Sequence, residues 1–208
     1  MPLQNRVTPR GEIVAHPARG GFMGNRGGRM HDEAKRLGTR RWATRAWIIC
    51  LLEFRGRHRK VMAPRRYTEL FFLDEAVAIA AGHRPCAECR RQDFNRWRDA
   101  FRAGNGLAGP LRAGDMDRRL HAERLVPKTK EKVVWSVNVG ELPDGAFVEL
   151  DGVAYLVFGD ALLPWSFEGY GAPRPRPLSG QVTVLTPRSS VATLGAGYRP
   201  EIAPSAAV

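Results

Sequence analysis

The 208-residue chain is poor in cysteine, with only three, and contains no apolar run that approaches the ~18 residues of a membrane-crossing helix. An odd and sparse set of cysteines builds no disulfide framework, so free or metal-bound thiols in a reducing compartment are the simpler expectation. The first twenty residues, MPLQNRVTPRGEIVAHPARG, lack the apolar stretch of a secretory signal. A cytoplasmic protein with no membrane partner is therefore expected. No Walker-type phosphate loop is present, which removes the commonest nucleotide-hydrolysing signature.

Acidic residues are also scarce, but only in one part of the chain. Residues 1 to 132 carry 29 lysines and arginines against 14 aspartates and glutamates, whereas the remainder carries 4 against 7; together they give the formal net charge of +12. All five histidines and all three cysteines lie in the first part. The excess is mostly arginine, whose planar, weakly hydrated fork matches phosphate oxygens and base edges. General arginine enrichment would not leave the last third acidic, so the asymmetry points to a polyanionic partner, nucleic acid above all.

Three segments follow from the texture. Residues 1–45 form a glycine- and arginine-rich basic arm in which RGGFMGNRGGRMHD offers close backbone approach and guanidinium groups, Arg26 and Arg29 among them, for an anion. Asp32 is placed to N-cap a short helix in DEAKRL. Residues 46–132 open with the β-branched run WIICLLEF, which reads as a strand, then the turn RGRHRK, a short strand, and a further strand ending in TELFFL. Arg65, Arg66 and Tyr67 form an exposed basic and aromatic cluster. DEAVAIAAG reads as a helix from Asp74 to a Gly82 cap. Next, ECRRQDFNRWRDAFR has Phe94, Trp97 and Phe101 on one helical face and Arg91, Arg98 and Arg102 on another, flanked by Arg90 and Arg96. DMDRRLHAERLV is a third helix. Residues 133–208 are β-rich, with LDGV as an Asp-Gly hairpin turn. These readings predict an α+β protein: a small N-terminal α/β module of metal-binding type with a short sheet and helices, followed by a β-rich roll or barrel-like C-terminal part.

The chemistry centres on HRPCAEC, where Cys86 and Cys89 supply half of a tetrahedral zinc site at knuckle spacing. The segment YTELFFLDEAVAIAAGHRPCAECRR, residues 67 to 91, resembles part of the metal-binding domain of bacterial Ada-type DNA methylphosphotriester repair proteins. The positions that match are Phe72, Glu75, Ala76, Ala80, Gly82, Arg84, Pro85, Cys86 and Cys89. The resemblance implies a zinc site on a DNA-binding surface. In that family a first cysteine pair precedes the strand and supplies the methyl acceptor; the corresponding FRGRHRK here has no cysteine, so methyl transfer is not expected. Cys50 and His58 are the candidates to complete a Cys3His zinc site, with His83 a poorer choice because it sits too close to the turn. The alternatives are a core role for Cys50 and a fold that persists without metal.

Three functions are thus open: a DNA- or RNA-binding protein that grips phosphates with Arg26, Arg29, Arg65, Arg66, Arg84, Arg90, Arg91, Arg98 and Arg102; an enzyme acting on nucleic acid, with His31, Asp32, His58 and Glu88 as acid, base or metal groups; and a scaffold whose acidic tail docks on a basic surface.

Overall fold

The computed structural model describes residues 1–56 and 60–206. Among these residues, two open six-stranded sheets and four α-helices share one continuous hydrophobic core, so the class is α+β as expected. No helix among the described residues is long and apolar enough to cross a membrane.

The first sheet contains β1 (Gln4–Val7), β2 (Ile13–Ala15), β3 (Phe22–Asn25), β4 (Ile48–Cys50), β5 (Leu70–Phe72) and β6 (Arg84–Pro85), in the spatial order β2-β1-β5-β3-β4-β6. Half of it comes from the glycine- and arginine-rich first forty-five residues. β3 runs antiparallel to both β4 and β5. The short strand expected after RGRHRK does not form over residues 60–69, and β3 lies between the strands of WIICLLEF and TELFFL. Gly24 makes that insertion possible: a Cβ there would stand 2.3 Å from the Ile48 carbonyl oxygen and 2.8 Å from the Phe72 ring. The helix expected over DEAKRL is instead a turn, in which Asp32 Oδ1 accepts from the Arg36 amide and Oδ2 pairs with the Arg36 guanidinium at 2.8 Å.

After β5 comes α1 (Glu75–Ala80), which starts where expected because Asp74 Oδ1 accepts the Val77 amide at 2.9 Å; every residue of α1 is buried. Gly82, at φ +88°, turns the chain into β6 beneath the Arg124 side chain. α2 (Arg91–Gly104) buries Phe94, Trp97 and Phe101, the apolar face read from the sequence. α3 (Ala113–Arg124) buries Met116 and Leu120, and its Asp117 receives the Arg84 fork at 2.8 Å on both oxygens.

The second sheet is antiparallel throughout. It contains β7 (Trp135–Asn138), β8 (Phe147–Leu150), β9 (Val153–Phe158), β10 (Ala161–Pro164), β11 (Arg174–Pro175) and β12 (Gln181–Val184), in the order β11-β10-β9-β8-β12-β7. It does not close, so the barrel-like alternative gives way to an open sheet. The Asp-Gly hairpin is present, with Asp151 and Gly152 at φ +51° and +77°, the positive pair that a two-residue turn requires. α4 (Arg188–Gly195) packs on α2 at Gly104, where a Cβ would lie 2.1 Å from the Ala192 carbonyl oxygen.

Polar ties join the two halves. Tyr170 donates to Asp74 Oδ2 at 2.7 Å, and so does the Ala203 amide at 3.0 Å. Glu75 accepts Tyr198 Oη at 2.6 Å and the Glu201 amide at 2.9 Å, and it pairs with Arg90 at 2.8 Å. Burial raises the Asp74 carboxyl and pushes the Tyr170 phenol up.

A second interior feature accounts for part of the basic composition. The Arg26 and Arg124 guanidinium groups each lie 3.8 Å from the Trp47 ring, one on each contact. Arg26 donates to the Gly11 carbonyl and, from Nε, to His83 Nε2 at 3.3 Å, and Arg124 donates to the Gly82 and Arg45 carbonyls. Lys132 reaches the Ala80 carbonyl at the end of α1. Burial, countered in part by Asp117, brings Arg124 down to about 9, and burial reinforced by Arg26 and Arg124 brings Lys132 down to about 7.

Candidate metal centre

Cys50 ends β4, and β4 pairs in parallel with β6 in a register that sets Ile48 beside Arg84 and Ile49 beside Pro85. Cys50 is the last residue of β4, and Cys86 follows directly after β6. The Cys86 amide donates to the Ile49 carbonyl at 2.9 Å, which holds Cys86 next to Cys50. The chain then turns before α2, with the Arg90 amide on the Cys86 carbonyl at 3.2 Å, and this turn returns Cys89 to the same place. The Glu88 amide points at Cys86 Sγ at 3.4 Å. All three Sγ atoms lie within 4.8 Å of one another. A tetrahedral zinc with Zn–S of about 2.3 Å needs sulfurs about 3.8 Å apart, so the donor set fits that ion.

Hydrogen bonds from Cys50 and then Cys89 hold the Cys86 thiol far below its ordinary value. The same bonding to Cys86 and Cys89, together with burial, pushes Cys50 up. For Cys89 the Cys50 contact pulls down, but the Cys86 contact and burial prevail and raise it. Cys50 and Cys86 are buried and Cys89 is half-buried. A dication would release these thiol protons and satisfy the clustered sulfur lone pairs.

The sulfurs open onto a cavity of 280 Å³ whose other walls include Met23, Phe54, Tyr67 and Phe71. Two carboxylates also line it, Glu69 and Glu88. Glu69 is only 2% exposed, and its Oε2 accepts the Met62 amide at 2.8 Å. No ion pair to Glu69 exists among the described residues. Sequence reasoning passed over this residue; the available signal was a lone acid in the apolar strand run TELFFL.

The remaining expected site residues are dispersed. His58 lies outside the described residues, and among those described no histidine or carboxylate joins the three sulfurs. His83 is fully buried elsewhere, between the Ala78 carbonyl and Arg26 Nε, and touches Trp47 and Phe72. His31 is buried against Thr68 Oγ1 at 2.7 Å, and with Asp32, Arg29, Arg36 and Arg40 it lines a separate surface cleft. Among the described residues of the acid–base set, Glu88 alone shares the cysteine cavity.

The nine expected phosphate-gripping arginines divide by burial. Arg26, Arg84 and Arg90 belong to the interior, bound respectively to the Gly11 carbonyl, Asp117, and Glu75 with Asp93. Arg98 is half-buried and pairs with Asp99 at 3.1 Å. Arg29, Arg65, Arg66, Arg91 and Arg102 are exposed, and no carboxylate among the described residues lies within ion-pair distance of them.

No protein-family model matches the chain, and no curated protein or solved structure matches it either. The fold and the three-sulfur cluster thus define an α+β protein with a potential metal centre.

Proposed function

We propose that the protein binds one zinc ion through Cys50, Cys86 and Cys89. The convergence of three sulfurs from β4 and the turn before α2 carries this reading. Soft thiolates select zinc or copper(I) over hard cations, and the likeness of residues 67 to 91 to the Ada-type module favours zinc. The ion would tie β4 to the start of α2, at the junction that also holds Arg84 and Arg90. Elemental analysis of the purified protein should give one zinc per chain. The Cys86→Ser, Cys89→Ser double variant should lose it and melt at lower temperature. Metal-free wild-type protein whose melting is insensitive to added zinc would end this reading.

A second activity is proposed on the five exposed arginines that have no carboxylate partner among the described residues: these side chains hold a nucleic-acid backbone. If each neutralises one phosphate, raising salt fourfold from ~50 mM lowers affinity by about 500-fold. Fluorescence anisotropy with labelled single- and double-stranded oligonucleotides measures this. A salt-independent affinity, or no binding at ~50 mM salt, refutes it.

A further inference from the structure

We infer that the metal keeps its fourth coordination position on the cavity side, and that Glu69 accepts a hydrogen bond from a small neutral molecule bound there. The inference rests on the three-thiolate reading and extends it from a structural tie to an exchangeable ligand site. Three observations converge on it. All three cysteines line a single cavity of 280 Å³, near the lower end of small-molecule sites. Glu69 shares that cavity and is buried with one amide hydrogen bond and no cation among the described residues. Buried carboxylates are ordinarily paired, so this one has capacity for a donor hydrogen.

The lining also selects the ligand. Three thiolates on a dication leave a net charge of −1, and the Glu69 carboxylate stands in the same wall, so an anion is disfavoured. Met23, Phe54, Tyr67 and Phe71 favour a flat, largely apolar body. The chemical class is therefore a neutral single-ring nitrogen heterocycle, or a comparably small neutral molecule, with one lone pair for the metal and one N–H or O–H for Glu69. Zinc sites with three protein ligands and an open fourth position are the ones that polarise bound molecules, whereas four protein ligands close a site.

Cobalt(II) substitution tests this without any assay of activity, because the visible bands of the ion report its ligands. Imidazole titrated at pH 8 into the cobalt-loaded full chain should shift these bands saturably. Glu69→Gln should take up the same single cobalt yet bind imidazole at least about tenfold more weakly, through loss of a charge-assisted hydrogen bond. Should the Gln variant not fold, Leu52→Trp provides the second reading, since Leu52 is an exposed cavity-lining residue and added bulk there should weaken imidazole while cobalt uptake persists. Wild-type bands that ignore imidazole mean that a protein group fills the fourth position and overturn the inference; a His58→Ala variant that then becomes sensitive would name that group. Equal imidazole affinity in wild type and Glu69→Gln removes Glu69 from the site. Failure to take up cobalt at all defeats the thiolate reading itself and this one with it.

Discussion

Glu75→Gln changes one atom of a buried carboxylate and tests how the two halves are joined. Glu75 is 1% exposed, and its oxygens accept from Tyr198 Oη at 2.6 Å, the Glu201 amide at 2.9 Å and Arg90 Nη2 at 3.0 Å, with Arg90 Nη1 at ion-pair distance, 2.8 Å. An amide NH2 in place of one oxygen cannot accept from either set of donors. It also leaves the buried Arg90 charge with Asp93 and the largely exposed Glu201 as its acids. Breaking a buried pair from one side costs about 3–5 kcal/mol. With a urea slope of a few kcal/mol per molar, the unfolding midpoint should fall by roughly 1–2 M without a change in slope. The Glu75→Leu, Arg90→Met double variant removes both charges, so it should cost less than the sum of the two single changes. Urea titrations followed by tryptophan fluorescence measure all four variants. A Gln variant within about 1 kcal/mol of wild type, or strictly additive single changes, would show that the pair is not the tie described.

Other perturbations follow from the same geometry. Gly24→Ala should destabilise the chain by more than about 2 kcal/mol and reduce zinc retention, because the new methyl group meets the Ile48 carbonyl of the strand that carries Cys50; unchanged melting and zinc content would contradict the strand order. Lys132, brought down to about 7 against an ordinary 10.5, releases its proton in the folded chain well before the unfolded chain does. Stability should accordingly rise with pH between those values, and Lys132→Met should flatten that rise; identical pH profiles for the two proteins would exclude the effect. Trp47→Leu removes the ring shared by Arg26 and Arg124 and should cost about 3–5 kcal/mol in denaturant titrations, as large aromatic truncations do. A loss under about 1 kcal/mol would mean that the guanidinium contacts contribute little.

Local signals were legible in the sequence and long-range ones were not. The start of α1 was visible because an Asp74 cap acts within three residues, and α2 because Phe94, Trp97 and Phe101 repeat with the helical period. LDGV was visible because its turn chemistry is self-contained. By contrast β1 to β3 have three or four residues each, and Gly24 reads as loop until the Ile48 carbonyl that demands it is known. β10 and β11 end in Pro164 and Pro175, and β11 tolerates its proline at the sheet edge. The first residues of α4, RSS, offered no helical periodicity. At the site, Cys86 and Cys89 announced themselves by spacing, and Cys50 was a candidate among alternatives. Only the parallel β4–β6 register joins it to the pair. Charge counting registered every arginine alike, although Arg26 and Arg124 lie against an indole ring and Arg84 and Arg90 against carboxylates.

The ties from Asp74 and Glu75 span up to 129 positions, reaching to Ala203 near the end of the chain. Residues of the first sheet and the cysteine turn precede by about a hundred positions the hydroxyl and amide donors that complete the hydrogen bonding of these two acids. Packing around α1 is therefore complete only once residues 170 to 203 have joined it, and contacts of such long sequence separation slow folding.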